Sequence, residues 1–232
     1  MKVNYDKEFE RIILENREIK ICLHCCCAVC AGFCIERIKE LGAWDCQLFF
    51  YNPNIMPYEE YERRAGEMEK LKGITIPGEN PCQPKQSIAV YKAEGFHALG
   101  KGDFLTPFCS AQDDSTANRY ICKWRNEEFL QAIKGHEACS EGGKRCEKCF
   151  YLRLKETAKA AKQLGYDYFA STLTISPHKN SSVINRIGLE VEKEIGIKYL
   201  VSDFKKGGGF SKSLEIAKRL GIYRQNYCGC RV

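Results

Sequence analysis

A chain of 232 residues buries most of an ordinary core without covalent staples. Its 36 basic and 30 acidic residues leave a formal charge of +6, which favours a polyanionic partner and suits a plain basic enzyme equally well. The charged opening MKVNYDKEFERIILENREIK does not read as a signal peptide, and no run reaches the ~18 apolar residues of a membrane span, so the expectation is a cytoplasmic protein with no membrane partner. There the 15 cysteines, an odd number, should be mostly reduced. That favours metal or redox chemistry over a secreted disulfide framework. With four histidines in the chain, any metal site is rich in sulfur, as in iron–sulfur clusters and structural zinc.

In chain order, residues 7–18 read as a polar helix, and IKICLH as a short strand running into HCCCAVC. A helix from about Cys30 to Leu41 stops at Gly42, a residue suited to the C-cap. DCQLFFYNPN is the next strand, PYEEYERRAGEMEKLKG a helix with proline in its first turn, and GITIPG a third strand candidate. From about residue 79 the rhythm breaks. Residues 79–123 show no sustained period and read as an irregular, cysteine-containing insertion within one α/β domain spanning residues 1–232. The alternation then resumes, with helices NEEFLQAIKG and RCEKCFYLRLKETAKAAKQLG, strand YDYFASTLTI, helix NSSVINRIGLEVEKEIG, strand IKYLVSDF and helix SKSLEIAKRLG. Nearly continuous apolar strands between helices predict a doubly wound, mostly parallel α/β sheet covered on both faces. Sites in such sheets lie beyond the carboxyl ends of the strands, where HCCCAVC sits.

Neighbouring side chains of a strand point to opposite faces, so adjacent cysteines reach one centre only where the backbone turns. Cys26 and Cys27 are best placed in that turn, with Cys30 already inside the following helix. Cys146 and Cys149 share a helical face at i and i+3. They fall in a first turn whose dipole, with Lys144 and Arg145 just before it, stabilises thiolates. A lone CxxC is only moderately specific and also fits a thioredoxin-like pair or half a zinc site. No CxxxCxxC is present, which argues against radical S-adenosylmethionine chemistry, and the first strand-to-helix turn has no glycine-rich phosphate loop. Near the C-terminus, Cys228 and Cys230 flank a glycine that lets their sulfurs meet. A disulfide closing so small a ring would be strained and easily reduced. Spacing alone leaves two loose thiols, or two metal ligands, equally open.

CCAVC after a strand, FFYNPNIMPYEEYERR, GGKRCEKCFYLRLKETA, STLTISPHKN, SDFKKGGGFSKS and LGIYRQNYCGC, in this order, resemble the epoxyqueuosine reductases of the QueH family over roughly residues 20–76 and 124–231. The resemblance implies reduction of the epoxide of epoxyqueuosine, at the wobble position of certain tRNAs, to the cyclopentene of queuosine, the last step of queuosine biosynthesis. It implies a [4Fe-4S] cluster on Cys26, Cys27, Cys146 and Cys149, an additional mononuclear iron nearby, and a redox-active Cys228–Cys230 disulfide. It also implies a Rossmann-like (HUP-type) fold similar to those of tRNA-thiolating enzymes and ATP pyrophosphatases. Two departures stand out. Residues 79–123 lack the expected Tyr-Asp-Pro element, and Cys25 stands where serine is expected, which leaves a Cys25–Cys26 ligand pair as an alternative.

Removal of an epoxide oxygen as water takes two electrons and two protons, so a low-potential electron donor is a required partner beside the tRNA. Candidate substrate contacts are Tyr51, Asn52 and Asn54 after the second strand, Ser176, Lys179 and Asn180 in SPHKN, and Arg224 beside Tyr223, Asn226 and Tyr227. Each has an ordinary structural reading as a turn, helix cap or core residue. Lys205 and Lys206, before a glycine run, read as a basic loop open to phosphates. Cys82, Cys109, Cys122 and Cys139, with His97 and His136, are candidates for a second metal site, although their spacing matches no ligand motif. Cys22, Cys34 and Cys46 read as small core residues. Competing readings are an iron–sulfur-dependent tRNA sulfur transferase, which would need ATP, a zinc-stapled tRNA-binding protein, and a thioredoxin-like dithiol oxidoreductase.

Overall fold

Strands that are apolar on both faces must be covered twice, and the chain does this by alternating them with amphipathic helices. The computed structural model describes residues 3–16, 18–43, 45–74, 89–92 and 118–230. Cys82, His97, Cys109 and most of the strand candidate GITIPG lie outside these residues. The first half comprises α1 (Tyr5–Glu15), β1 (Lys20–His24), α2 (Ala28–Glu40), β2 (Asp45–Phe50) and α3 (Tyr58–Glu67), which tightens into a 3-10 turn over Met68–Gly73. β3 (Ala89–Lys92), β4 (Asn118–Ile121), α4 (Asn126–Ala132), α5 (Lys144–Gln163) and β5 (Tyr168–Ser171) follow. The chain closes with α6 (Ser181–Ile195), β6 (Lys198–Tyr199) and α7 (Gly209–Arg219).

The strands form one sheet in the order β3-β4-β2-β1-β5-β6, and each neighbouring pair is parallel. β3 and β4 fall within residues 79–123 and occupy one edge of the sheet. Register places Leu23 opposite both Leu48 and Ala170. Alternation then sorts the side chains. Ile21, Leu23, Leu48 and Phe50 pack with Phe9, Ile35, Ile38 and Ile216, under α1, α2 and α7. Cys22, Phe49 and Phe169 pack with Leu154, Ala158, Ile184 and Ile187, under α5 and α6. With helices on both faces of a parallel sheet, the fold is α/β, Rossmann-like and doubly wound.

The strand order reverses at β1. From β1 the chain crosses through α2 to β2 on one side, and the later strands β5 and β6 add on the other. That reversal opens a crevice at the carboxyl ends of β1 and β5, the usual ligand position in such sheets.

Two predicted strands are shorter than their apolar runs. YDYFASTLTI pairs only to Ser171, because the Ser171 hydroxyl accepts from the Leu173 amide (3.2 Å) and winds Thr172–Ile175 into a 3-10 turn. IKYLVSDF pairs only over Lys198–Tyr199. Further on, the Asn185 side chain takes both backbone groups of Ser202, accepting from its amide (3.1 Å) and donating to its carbonyl (2.9 Å). α2 also begins at Ala28 rather than near Cys30, with Cys27 as its extended N-cap residue.

Gly188 of α6 lies flat against the buried Tyr199 ring, and a Cβ there would sit 2.3 Å from Tyr199 Cε1. The ring is walled in, so Gly188→Ala should cost about 1–3 kcal/mol of stability, read from chemical denaturation midpoints. An unchanged midpoint would show that α6 moves aside freely.

Candidate metal centre at the carboxyl edge of the sheet

The turn after β1 makes the site. The Cys25 amide still donates to the Phe49 carbonyl (2.8 Å), as a ladder residue does. The Cys26 amide turns away and donates to Thr172 Oγ1 (3.1 Å), in the 3-10 turn after β5. The chain then enters α2, and Sγ of Cys26, Cys27 and Cys30 converge within 4.8 Å of one another. Cys25 points the other way: fully buried, its thiol donates to the Leu23 carbonyl (3.3 Å). The structure therefore brings Cys26 and Cys27 together with Cys30, which the sequence reading placed only inside a helix, and does not bring Cys25 to them.

The trio behaves electrostatically as one centre. Hydrogen bonds from the Cys27 and Cys30 thiols hold the Cys26 thiol well below its ordinary pKa, against the cost of burial and with help from Lys179 and Arg153. The Thr172 hydroxyl adds a bond to Cys26 Sγ (3.3 Å). Cys27, as donor to Cys26, is pushed up to about 12 and Cys30 upward as well. The three thiols are thus coupled, and their hydrogen bonds favour the anion at Cys26 over the other two.

The CxxC pair lies at the start of α5. Cys146 Sγ accepts from the Gly142 amide (3.2 Å). Cys149 is buried, and burial pushes its thiol up to about 12 although Arg153 opposes the rise. Cys149 packs with Phe129 and Ile133, and Cys230 rests on the same small cluster. The C-terminal tail is therefore docked beside the CxxC pair. The carbonyls of Cys228 and Tyr227 accept from Arg64 Nη1 (3.0 Å) and Nη2 (3.4 Å), and the Gly229 carbonyl accepts from the Met56 amide (2.9 Å). Gly229 has φ 111°, and a Cβ there would lie 3.0 Å from Ile55 Cγ1 and 3.1 Å from Arg64 Nη1, so glycine is required on both counts. Cys228 and Cys230 are both free thiols.

A cleft of about 320 Å³ joins the trio to the tail, lined among others by Cys26, Cys27, Cys30, Arg153, Ser176, Lys179, Arg224 and Cys228; Cys146, Cys149 and Cys230 lie outside its lining. Lys179 donates to Ser176 Oγ (3.5 Å); burial works against its charge, and the sulfurs of Cys228, Cys26 and Cys30 more than offset that. Asn180 caps α6 through the Ser182 amide (2.9 Å) and lines a neighbouring groove with Lys205 and Lys206. The other substrate candidates face inward. Tyr51 donates to Glu128, and Asn52 donates to the Cys25 carbonyl (2.9 Å) while accepting from Arg153 Nη2 (2.5 Å). Asn54 is 1% exposed, and its Oδ1 has no hydrogen-bond partner among the described residues. None of the three lines the cleft, because the backbone turns inward under the α4 side of the sheet instead of projecting past the strand end.

Beneath the cysteines lies a polar node that sequence reading missed. His24 Nδ1 faces Ser171 Oγ (3.0 Å), while Nε2 lies between Arg153 Nε–H (3.3 Å) and the Tyr51 carbonyl (3.2 Å). Burial, reinforced by the charge of Arg153, lowers its pKa to about 3, so the ring is neutral. Arg153 carried one readable signal, its spacing of four and seven residues from Cys149 and Cys146 on one helical face. Thr172 and Arg64 carried none. Cys122 and Cys139 form no ligand group with each other or with His136 among the described residues. Cys22, Cys34 and Cys46 are buried in the core, as read.

A doubly wound parallel sheet with a thiol-lined, cation-flanked cleft at its switch point defines a Rossmann-like protein equipped to hold a metal. The family model of epoxyqueuosine reductase QueH matches residues 21–98 and 108–232. Proteins named epoxyqueuosine reductase QueH are 35% identical over 99% of this chain and 77% of the relative in Streptococcus pyogenes serotype M1, and 36% identical over 99% and 84% in Staphylococcus epidermidis. The one in Thermotoga maritima is 32% identical over 90% of this chain and 88% of its own length. The chain belongs to the epoxyqueuosine reductase QueH family, a family of oxidoreductases.

In the metal-free protein, iodoacetamide should alkylate Cys26 ahead of Cys27 and Cys30, with a rate midpoint below the ordinary thiol value of about 8.5. C27S or C30S should move that midpoint upward. Equal labelling of the three, mapped by peptide mass spectrometry, would contradict the preference for the anion at Cys26.

Proposed function

We propose that this chain is an epoxyqueuosine reductase that converts epoxyqueuosine to queuosine at the wobble position of tRNA in the cytoplasm, the last step of queuosine biosynthesis. The observation that carries the reading is the convergence of Cys26, Cys27, Cys30 and Cys228 on one cleft at the sheet's switch point, in a chain of this family. The whole chain works as one α/β domain, with residues 79–123 an insertion within it.

The donor set suits the implied cofactor, since thiolates are the ligands of iron–sulfur clusters. Cys26, Cys27, Cys146 and Cys149 would hold a [4Fe-4S] cluster, and Cys30 remains available to an additional mononuclear iron. When bound, such a cluster supplies electrons one at a time. The chain's own residues account for the rest. Opening the epoxide to the alkene and water consumes two electrons and two protons, and oxidation of the Cys228/Cys230 dithiol to a disulfide releases two of each. A low-potential donor then restores the dithiol. Lys179 Nζ, held charged by the sulfurs and facing the cleft, is placed to give a proton to the departing oxygen. Arg224 on the rim, with Lys205 and Lys206 in the adjoining groove, supports binding of the tRNA backbone.

A second reading rests on spacing. Tetrahedral zinc at ~2.3 Å from each sulfur sets sulfurs roughly 3.8 Å apart, which the trio's 4.8 Å limit accommodates. The test is anaerobic purification, assay of iron, sulfide and zinc, and incubation with epoxyqueuosine-containing tRNA and a low-potential reductant. Iron with sulfide and loss of one oxygen from the base are expected. Zinc without iron, together with unchanged tRNA, would overturn the reductase reading. C228S and C230S should keep the iron and lose multiple turnover, and full turnover in both would remove the dithiol from the cycle.

A further inference from the structure

Arg153 is among the largest fully buried side chains, and it forms no ion pair among the described residues. Its Nη2 donates to Asn52 Oδ1 (2.5 Å), its Nε to the neutral His24 ring (3.3 Å) and its Nη1 to Cys149 Sγ (3.8 Å). Two of these acceptors are uncharged, and the third carries a negative charge only as a thiolate. A buried cation without an anion is strongly destabilising, and carboxylates are the usual remedy. Here sulfurs take that place: Cys149 Sγ of α5 accepts from the guanidinium (3.8 Å), and Arg153 lines one cleft with Cys26, of the turn after β1, and Cys228, of the C-terminal tail. His24 and Asn52 fix the fork in place, and Asn52 also holds the Cys25 carbonyl, tying the guanidinium to the same turn.

We infer that Arg153 is the internal counter-ion of the sulfur centre: a positioning residue whose fixed positive charge offsets the negative charge of the thiolate-bound metal group and raises its reduction potential. The inference rests on the cofactor reading above. A fixed positive charge beside a redox group favours its more negative, reduced state, so removing the charge makes reduction harder.

The experiment compares wild type, R153K and R153M, each reconstituted with iron and sulfide without oxygen. It reads bound iron, the reduction midpoint by spectroscopic titration, and melting temperature with and without metal. The expected result for R153M is a more negative midpoint, with R153K close to wild type. R153M should lose more melting temperature relative to wild type in the loaded protein than in the metal-free protein, because only the loaded centre carries the full negative charge that Arg153 offsets; an equal loss in both would mark a merely structural role. If R153M retains no iron, R153K decides: retention in R153K supports the charge, and equal loss in both overturns it in favour of the hydrogen-bonding fork. Equal midpoints in all three loaded proteins would overturn the inference and leave the cofactor reading standing. Wild type that takes up no iron would overturn both.

Discussion

The cleft exists because β1 stops pairing one residue before it stops being extended. The Cys25 amide completes the ladder to β2, and the next amide goes to a side chain, Thr172 Oγ1, on the far strand connection. With β2 on one side and β5 on the other, the backbone has parallel partners up to that point and none beyond it. The chain therefore turns between Cys25 and Ala28, and this turn allows cysteines adjacent in sequence to reach a common centre. A ladder longer by two residues would have sent Cys26 and Cys27 to opposite faces of the sheet.

Burial and charge then divide cysteines of identical chemistry into two groups. In the core, desolvation drives the thiols toward the neutral form: Cys25 and Cys34 rise well above the ordinary range, and Cys46 is pushed up to about 12. Cys26 is half-buried at the cleft, and its thiol moves down, because two neighbouring thiols, a hydroxyl, Lys179 and Arg153 all favour the anion. Donors and cations, together with its partial exposure, set Cys26 apart from the core thiols.

Much of this was legible in the sequence. The doubly wound class followed from apolar strands alternating with amphipathic helices, and the placement of Cys146 and Cys149 at the start of α5 from the run KRCEKCFYLRLK. The C-cap glycines Gly165, Gly196 and Gly221 all have positive φ. The rest depends on contacts between distant segments. The strand end at Ser171 is set by a side chain bonding its own turn, which apolar patterning does not report. Asn52 looked like a rim residue because it ends the second strand, but its amide oxygen is used 101 residues away, by Arg153. Cys30 looked helical, and is; what the sequence hid is that α2 begins two residues earlier and that Cys30 Sγ lies within 4.8 Å of those of Cys26 and Cys27.

The tail shows how a change of redox state is compatible with a fixed site. Arg64 is itself buried and paired with Glu60 (2.6 Å), so the two carbonyls it holds are gripped by a group that cannot swing away cheaply. The Met56 amide and the Tyr227 hydroxyl, which donates to the Met56 carbonyl (3.2 Å), complete the anchoring. None of these bonds uses a sulfur. The backbone of Cys228–Cys230 is docked by groups that neither gain nor lose electrons, so the thiol–disulfide change proposed above would leave the tail, and with it one wall of the cleft, in place. The left-handed conformation of Gly229 is the local condition for that arrangement, since a side chain there would meet Arg64 at 3.1 Å, the residue that holds the tail.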